Sequence, residues 1–165
     1  MQTRPEKSWA GRPLSACSGS GVFVGYASVF GERDGAGDVV MPGAFARSLA
    51  KRRAVRMLFQ HDPAEPVGVW LEMRETTRGL YVMGRLEPNV QRAAELLALL
   101  ESGGLDGLSI GFKTVSASRD KGTGSRLLHH VDLWEVSLVT FPMAEGARVS
   151  FVKRAGEDVL QQGVN

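Results

Sequence analysis

Three residues far apart in this 165-residue chain have types and settings that together suggest chemistry: Ser109, His61 and Glu135. Ser109 stands in "GLDGLSIGFK", with Gly107 and Gly111 two residues away on either side. Strand alternation puts Leu108, Ile110 and Phe112 on one face and leaves Ser109 with Gly107, Gly111 and Lys113 on the other. Glycines in a strand mark the close approach of a ligand or of another backbone. The hydroxyl therefore lies either at the floor of an open trough or beneath a crossing strand. A serine becomes a useful nucleophile only with a base in reach, and that base needs an orienting partner. The histidines on offer are His61, His129 and His130. His61, in "QHDP", ends one apolar run and opens a turn, which sets its ring at a sheet rim as a base or as an ordinary surface residue. Glu135 interrupts the apolar stretch "VDLWEVSLVTFP". Burying an unpaired carboxylate costs on the order of several kcal/mol, so Glu135 either faces solvent or takes a strong donor such as histidine. Val131 and Leu133 share its parity and favour the buried alternative. Nucleophile, base and orienter are the three roles of acyl transfer.

These side chains need elements to hold them. Residues 1–20 read as a flexible arm and 153–165 as a flexible tail, leaving 21–152 as one domain. "GVFVGYASVF" (21–30) alternates with little polar residue on either face, as a central strand does. "VVMPGAFARSLAKRR" has Pro42 where a helix can start. "AVRMLFQ" (54–60) is a strand, and "HDPAEP" is a turn with two prolines. "VGVWLEMRE" and "GLYVMGRLE" form a hairpin around "TTR". Residues 89–102 form a helix with Asn89 as its N-cap. Its apolar stripe is Ala93, Leu96, Leu97 and Leu100, and Gly103 and Gly104 end it. "GLSIGFKTVSAS" and "RLLHHVDLWEVSLVTFP" make a second hairpin. The fold class is mainly β with flanking helices (α+β), arranged as a small closed β-barrel, because closure removes sheet edges.

Composition narrows the function classes. Hydrophobic residues make up 43% and charged residues 23%, the balance of a foldable domain. A net charge of +2 gives no bulk electrostatic case for nucleic-acid binding. The single cysteine, Cys17, excludes an intrachain disulfide and fits a reducing compartment. Without CxxC or HExxH, no structural zinc site is expected. The first twenty residues lack an apolar h-region, so no secretory signal is expected. No run reaches the length of a membrane span.

Six stretches now occur in order: "GYASVFG", "GDVVMPGAFARSL", "MLFQHDPAEPVGVW", "RGLYVMGRL", "GGLDGLSIGF" and "VDLWEVSLVTFP". Over about residues 21–150 the chain resembles the prohead (procapsid maturation) serine proteases of tailed phages and gene-transfer particles, distant relatives of herpesvirus assemblin. The resemblance implies an assemblin-like β-barrel and a serine endopeptidase without metal or cofactor. Its substrates would be major capsid protein or scaffold segments, and its own termini, inside procapsids assembling in a bacterial cytoplasm. No specific nucleic acid or membrane is implied. It also implies a homodimer built on helices, for which Leu99, off the main stripe of helix 89–102, is available. The family histidine carries over onto His61, its serine onto Ser109 and its acidic member onto Glu135. Assemblin uses a second histidine as third member, so His130 and its neighbour Asp132 are weighed too. By alternation both lie on the face opposite Glu135, which favours Glu135. Oxyanion donors are sought in the turn 103–107 and in "FPMAEGAR". The alternative is a non-catalytic capsid-assembly factor of the same fold. A lipase-type elbow is disfavoured, since a strand rather than a helix follows Ser109.

Overall fold

The computed structural model describes residues 21–51 and 53–153. The expected arm 1–20, Arg52 and all of the expected tail except Lys153 lie outside the described residues. In chain order the elements are β1 (Val22–Val29), β2 (Asp38–Val40), α1 (Ala46–Ala50), β3 (Arg56–Phe59), β4 (Asp62–Glu75), β5 (Gly79–Leu86), α2 (Gln91–Ser102), β6 (Gly107–Arg119), β7 (Arg126–Val139) and β8 (Val149–Val152). The mainly β character and both hairpins, β4–β5 and β6–β7, agree with the sequence reading.

All eight strands join one sheet in the order β2, β7, β3, β4, β5, β1, β8, with β6 on β7. β7 organises the site. β6 pairs antiparallel along its whole length, while on the other edge β2 runs parallel to Arg126–Leu128 and β3 parallel to Glu135–Leu138. Neither short strand covers the stretch between. There Met41 N–H donates to the Leu128 carbonyl and Val131 N–H to the Ala44 carbonyl, both at 3.0 Å. Leu133 N–H donates to the buried Ser48 Oγ of α1 at 2.8 Å. A buried strand edge needs such partners for its backbone groups.

The closed barrel expected from the sequence is not what forms: the sheet is not closed. β6 and β8 meet through a single bridge, Gly107 to Arg148, with Leu108 N–H on the Ala147 carbonyl (2.9 Å) and Val149 N–H on the Asp106 carbonyl (2.8 Å) beside it. β8 has only four residues, too few to extend that contact into a ladder. The far half of β6, Lys113–Arg119, is exposed.

The helices are shorter than their sequence patterns. Pro42 sits in the turn before α1, which spans five residues. Val90, not Asn89, is the N-cap of α2 and makes no side-chain cap; Asn89 instead donates to Glu87 Oε1 at 3.3 Å. Gly103, at φ 77°, ends α2 in the left-handed conformation that glycine tolerates. Ala93, Leu96 and Leu100 are buried as the stripe predicts. They join a core that includes Phe45, Met57, Leu108, Leu133, Val136 and Leu138. Phe23 stacks edge-on against Trp70 in the same core, with ring centroids 5.6 Å apart.

Candidate active site

β3 and β4 are joined by two residues, Gln60 and His61, with Phe59 paired to Asp62 across the turn. Both have positive φ, 52° and 59°. That is the pattern of a primed hairpin turn, which favours Asn-Gly. A side chain in this region costs about 1–2 kcal/mol per residue, so the surroundings must hold it. Gln60 N–H donates to the Leu138 carbonyl at 2.9 Å. Gln60 Nε2 donates to Thr140 Oγ1 at 2.9 Å, and Thr140 N–H returns a bond to Gln60 Oε1 at 3.2 Å. His61 N–H donates to Ser137 Oγ at 3.1 Å. The broad turn expected over "HDPAEP" is thus a tight one at Gln60–His61, after which β4 begins. Leu58 pairs with Pro66, so residues 63–65 bulge from the ladder. A bulge tolerates Pro63, which has no N–H to offer a ladder.

β7 reaches the same place through a second irregularity. Gly111 pairs with Glu135, but Phe112 pairs with Leu133, so Trp134 is one residue too many for its partner strand. A bulge reverses the alternation beyond it. Leu133 and Val131 on one side of Trp134, and Val136 and Leu138 on the other, all enter the core. Glu135 is therefore turned onto the face of Ser109, away from Leu133, although the two share sequence parity. The same reversal corrects the expectation for His130 and Asp132. Asp132 pairs with Lys113 and so lies on the Glu135 side, two pairs further along. There its Oδ1 is held by Lys51 Nζ at 3.0 Å and Arg53 at 2.9 Å. His130 Nδ1 is buried without a hydrogen-bond partner among the described residues.

The three candidate residues converge. His61 Nε2 lies 3.0 Å from Ser109 Oγ. His61 Nδ1 is in short contact with Glu135 Oε1. With Nδ1 protonated toward the carboxylate, Nε2 is free to accept the serine proton. The other carboxylate oxygen, Oε2, accepts a 2.7 Å bond from Ser137 Oγ. Ser109 is 7% exposed and Ser137 fully buried, and they face each other across β6 and β7. The His61 side chain is 43% exposed and that of Glu135 13%. The hydrogen bond it donates to Glu135 raises the His61 pKa above its ordinary 6.5; partial burial pulls against it, and the carboxylate's charge adds to the rise.

The glycines beside Ser109 are not an open trough. A Cβ on Gly111 would run into Oε1, Cδ and Cγ of Glu135, and one on Gly107 would meet the Val139 carbonyl and Pro142. Gly111 makes room for the carboxylate, and Gly107 for the chain leaving β7. Each of the two segments expected to supply oxyanion donors has N–H groups engaged elsewhere: in the 141–148 loop Gly146 N–H donates to Glu32 Oε1 at 2.8 Å and Ala147 N–H to the Ala144 carbonyl at 3.1 Å, and in the turn 103–107 three are bonded to α2. Gly103 N–H donates to the Leu100 carbonyl at 3.3 Å, and Gly104 and Leu105 N–H to the Leu99 carbonyl at 2.9 and 3.3 Å. Ser137, Gln60 and Thr140 were not singled out in the sequence. Ser137 carried a usable signal: it stands two residues after Glu135 in the same strand.

A family model described as caudovirus prohead serine protease matches residues 12–162. The prohead protease of Enterobacteria phage HK97 is 40% identical over 136 residues, covering 81% of this chain and 60% of that protein. The prohead protease of Escherichia phage T5 is 29% identical over 124 residues, covering 73% of this chain and 58% of that one. The chain thus spans about three fifths of the length of these curated relatives. Among solved structures, the bacteriophage T4 capsid assembly protease matches with a TM-score of 0.58 at 14% identity, over 73% of this chain and 82% of that one. The protease of Kaposi's sarcoma herpesvirus, bound to a hexapeptide phosphonate inhibitor, matches with a TM-score of 0.57 at 17% identity, over 81% and 66%. At these identities the structural likeness speaks for the fold, which is of the assemblin type.

Proposed function

The chain belongs to the caudovirus prohead serine protease family, and we propose that it is a serine endopeptidase of procapsid maturation whose triad is Ser109, His61 and Glu135. The observation that carries this reading is the unbroken line from Ser109 Oγ through both nitrogens of His61 to Glu135. Ser109 Oγ attacks the scissile carbonyl while His61 Nε2 takes its proton. The imidazolium, steadied by Glu135, then protonates the leaving amine. Water hydrolyses the acyl-enzyme by the reverse path and returns the proton to Ser109. Glu135 rather than Asp132 is the third member, because Asp132 is engaged by Lys51 and Arg53. Backbone N–H groups of the turn 103–107 or of the 141–148 loop are the oxyanion donors in this reading, each contributing roughly 10²–10³-fold.

The substrates are capsid-protein or scaffold segments, reached inside an assembling procapsid in the bacterial cytoplasm. The segments 1–20 and 153–165 serve as targeting or self-cleavage sites of the domain 21–152. Leu99, 45% exposed on α2, supports a homodimer, which a rise of specific activity with concentration tests. A non-catalytic assembly factor has no use for a hydroxyl, imidazole and carboxylate held in line. The deciding experiment is mass spectrometry of capsid subunits co-expressed with the protein or with Ser109→Ala. Cleaved subunits are expected only with the former; processing by the variant removes Ser109 from the mechanism.

A further inference from the structure

Ser137 does more than fill the core beneath the site. It is fully buried, and its hydroxyl is held from two directions by one residue pair. Its Oγ accepts from the His61 backbone N–H (3.1 Å) and donates to Glu135 Oε2 (2.7 Å), while Glu135 Oε1 meets the His61 ring. These three contacts close a ring: His61 backbone, Ser137 hydroxyl, Glu135 carboxylate, His61 side chain. The ring spans a residue at φ 59°, a conformation that ordinary side chains leave readily. A carboxylate with one oxygen free can rotate; here both oxygens are fixed, so the plane presented to Nδ1 is fixed with them.

We propose that Ser137 is a positioning residue of the triad, locking the backbone of His61 and the carboxylate of Glu135 into one orientation through a single hydroxyl. The proposal rests on the protease reading above. Ser137 touches no reacting atom and acts through the other two. Of the charged groups on the surrounding strands, those next to the site in strand register are Arg56, paired with Glu135, Asp62, which follows His61, and Lys113, paired with Asp132. Among the described residues, Glu135 is the charged group that contacts the ring.

The test is the second-order rate of phosphonylation by a fluorophosphonate probe, measured against pH, which needs no known peptide substrate. Ser137→Ala is expected to slow labelling about 10- to 100-fold, as loss of a hydrogen bond to a charged group does. Its acid limb is expected to move to lower pH, the direction expected of Glu135→Gln, because a carboxylate no longer fixed by Ser137 loses its hold on the imidazole. A slower rate with the limb unmoved or moved to higher pH would mean that the carboxylate still holds the ring without Ser137 and would overturn the proposal, as would labelling within twofold of the parent. If Ser137→Ala does not fold, Ser137→Thr and Ser137→Val, alike in shape and different in the hydroxyl, read the same limb. Ser109→Ala is the control. Its labelling would bring down the protease reading itself, whereas a silent Ser109→Ala beside an unaltered Ser137→Ala would bring down this inference alone.

Discussion

Gly111 and Glu135 face each other across β6 and β7, and the Glu135 carboxylate occupies the space that a side chain on Gly111 would take. The nucleophile strand and the carboxylate strand thus share one volume. Gly111→Ala should push the carboxylate off the His61 ring. Overpacking of this kind costs about 1–3 kcal/mol, and it falls here on the active geometry. Cleavage of capsid substrate is expected to drop at least tenfold while the folded state survives, checked by thermal unfolding beside the activity assay. Full activity in Gly111→Ala would show that Glu135 is free to sit elsewhere.

The pH dependence follows from the His61 pKa, raised above 6.5 chiefly by its hydrogen bond to Glu135. The base works only when neutral, so the acid limb of kcat/KM should lie above 6.5. Glu135→Gln removes the charge and should move that limb to lower pH while cutting kcat by roughly 10²–10⁴-fold. The stability sign is opposite to the activity sign. A group whose folded pKa is raised stabilises the fold fully below its unfolded value and loses that contribution as pH rises through the folded value. The stability gap between the parent and Glu135→Gln should therefore be widest in acid and close toward alkaline pH, as denaturant titrations at several pH values can read.

Asp132 is a separate case, being held by Lys51 and Arg53 away from the imidazole. Asp132→Asn is expected to keep kcat within a few-fold of the parent, since exposed ion pairs contribute about 0–1 kcal/mol. A loss as deep as that of Glu135→Gln would make Asp132 the third member instead.

The Gln60–His61 turn can be tested without chemistry. Gln60 holds positive φ and is tied to Thr140 by two hydrogen bonds. Gln60→Ala loses both bonds and keeps the strain, so it should lower stability by roughly 1–2 kcal/mol. Gln60→Gly loses the same bonds but relaxes the backbone, and should be about 1 kcal/mol more stable than the alanine variant. Denaturant unfolding of the pair decides it; alanine equal to glycine would mean that the turn carries no strain.

Much of this protein was legible in order along the chain. The hairpins, the α2 stripe of Ala93, Leu96 and Leu100, its stop at Gly103 and the buried face of Leu108 are local matters, set by side-chain period and by the freedom of one glycine. The residue types at Ser109, His61 and Glu135 suggested the acyl-transfer roles proposed above for the same reason: each stood oddly in its own segment. Their meeting was not local. Alternation alone placed Asp132 opposite Glu135 and made Leu133 its neighbour, and the bulge at Trp134 reversed both. Nothing within β7 announces that bulge. It depends on partners 80 or more residues away, Ser48 taking the Leu133 N–H and Arg53 the Leu133 carbonyl. Sheet closure is of the same kind, because it turns on whether four residues of β8 can extend one bridge to β6. A side-chain period is written in the chain, but register and closure are properties of pairs of segments. They are decided only when the backbone groups of one find partners on the other.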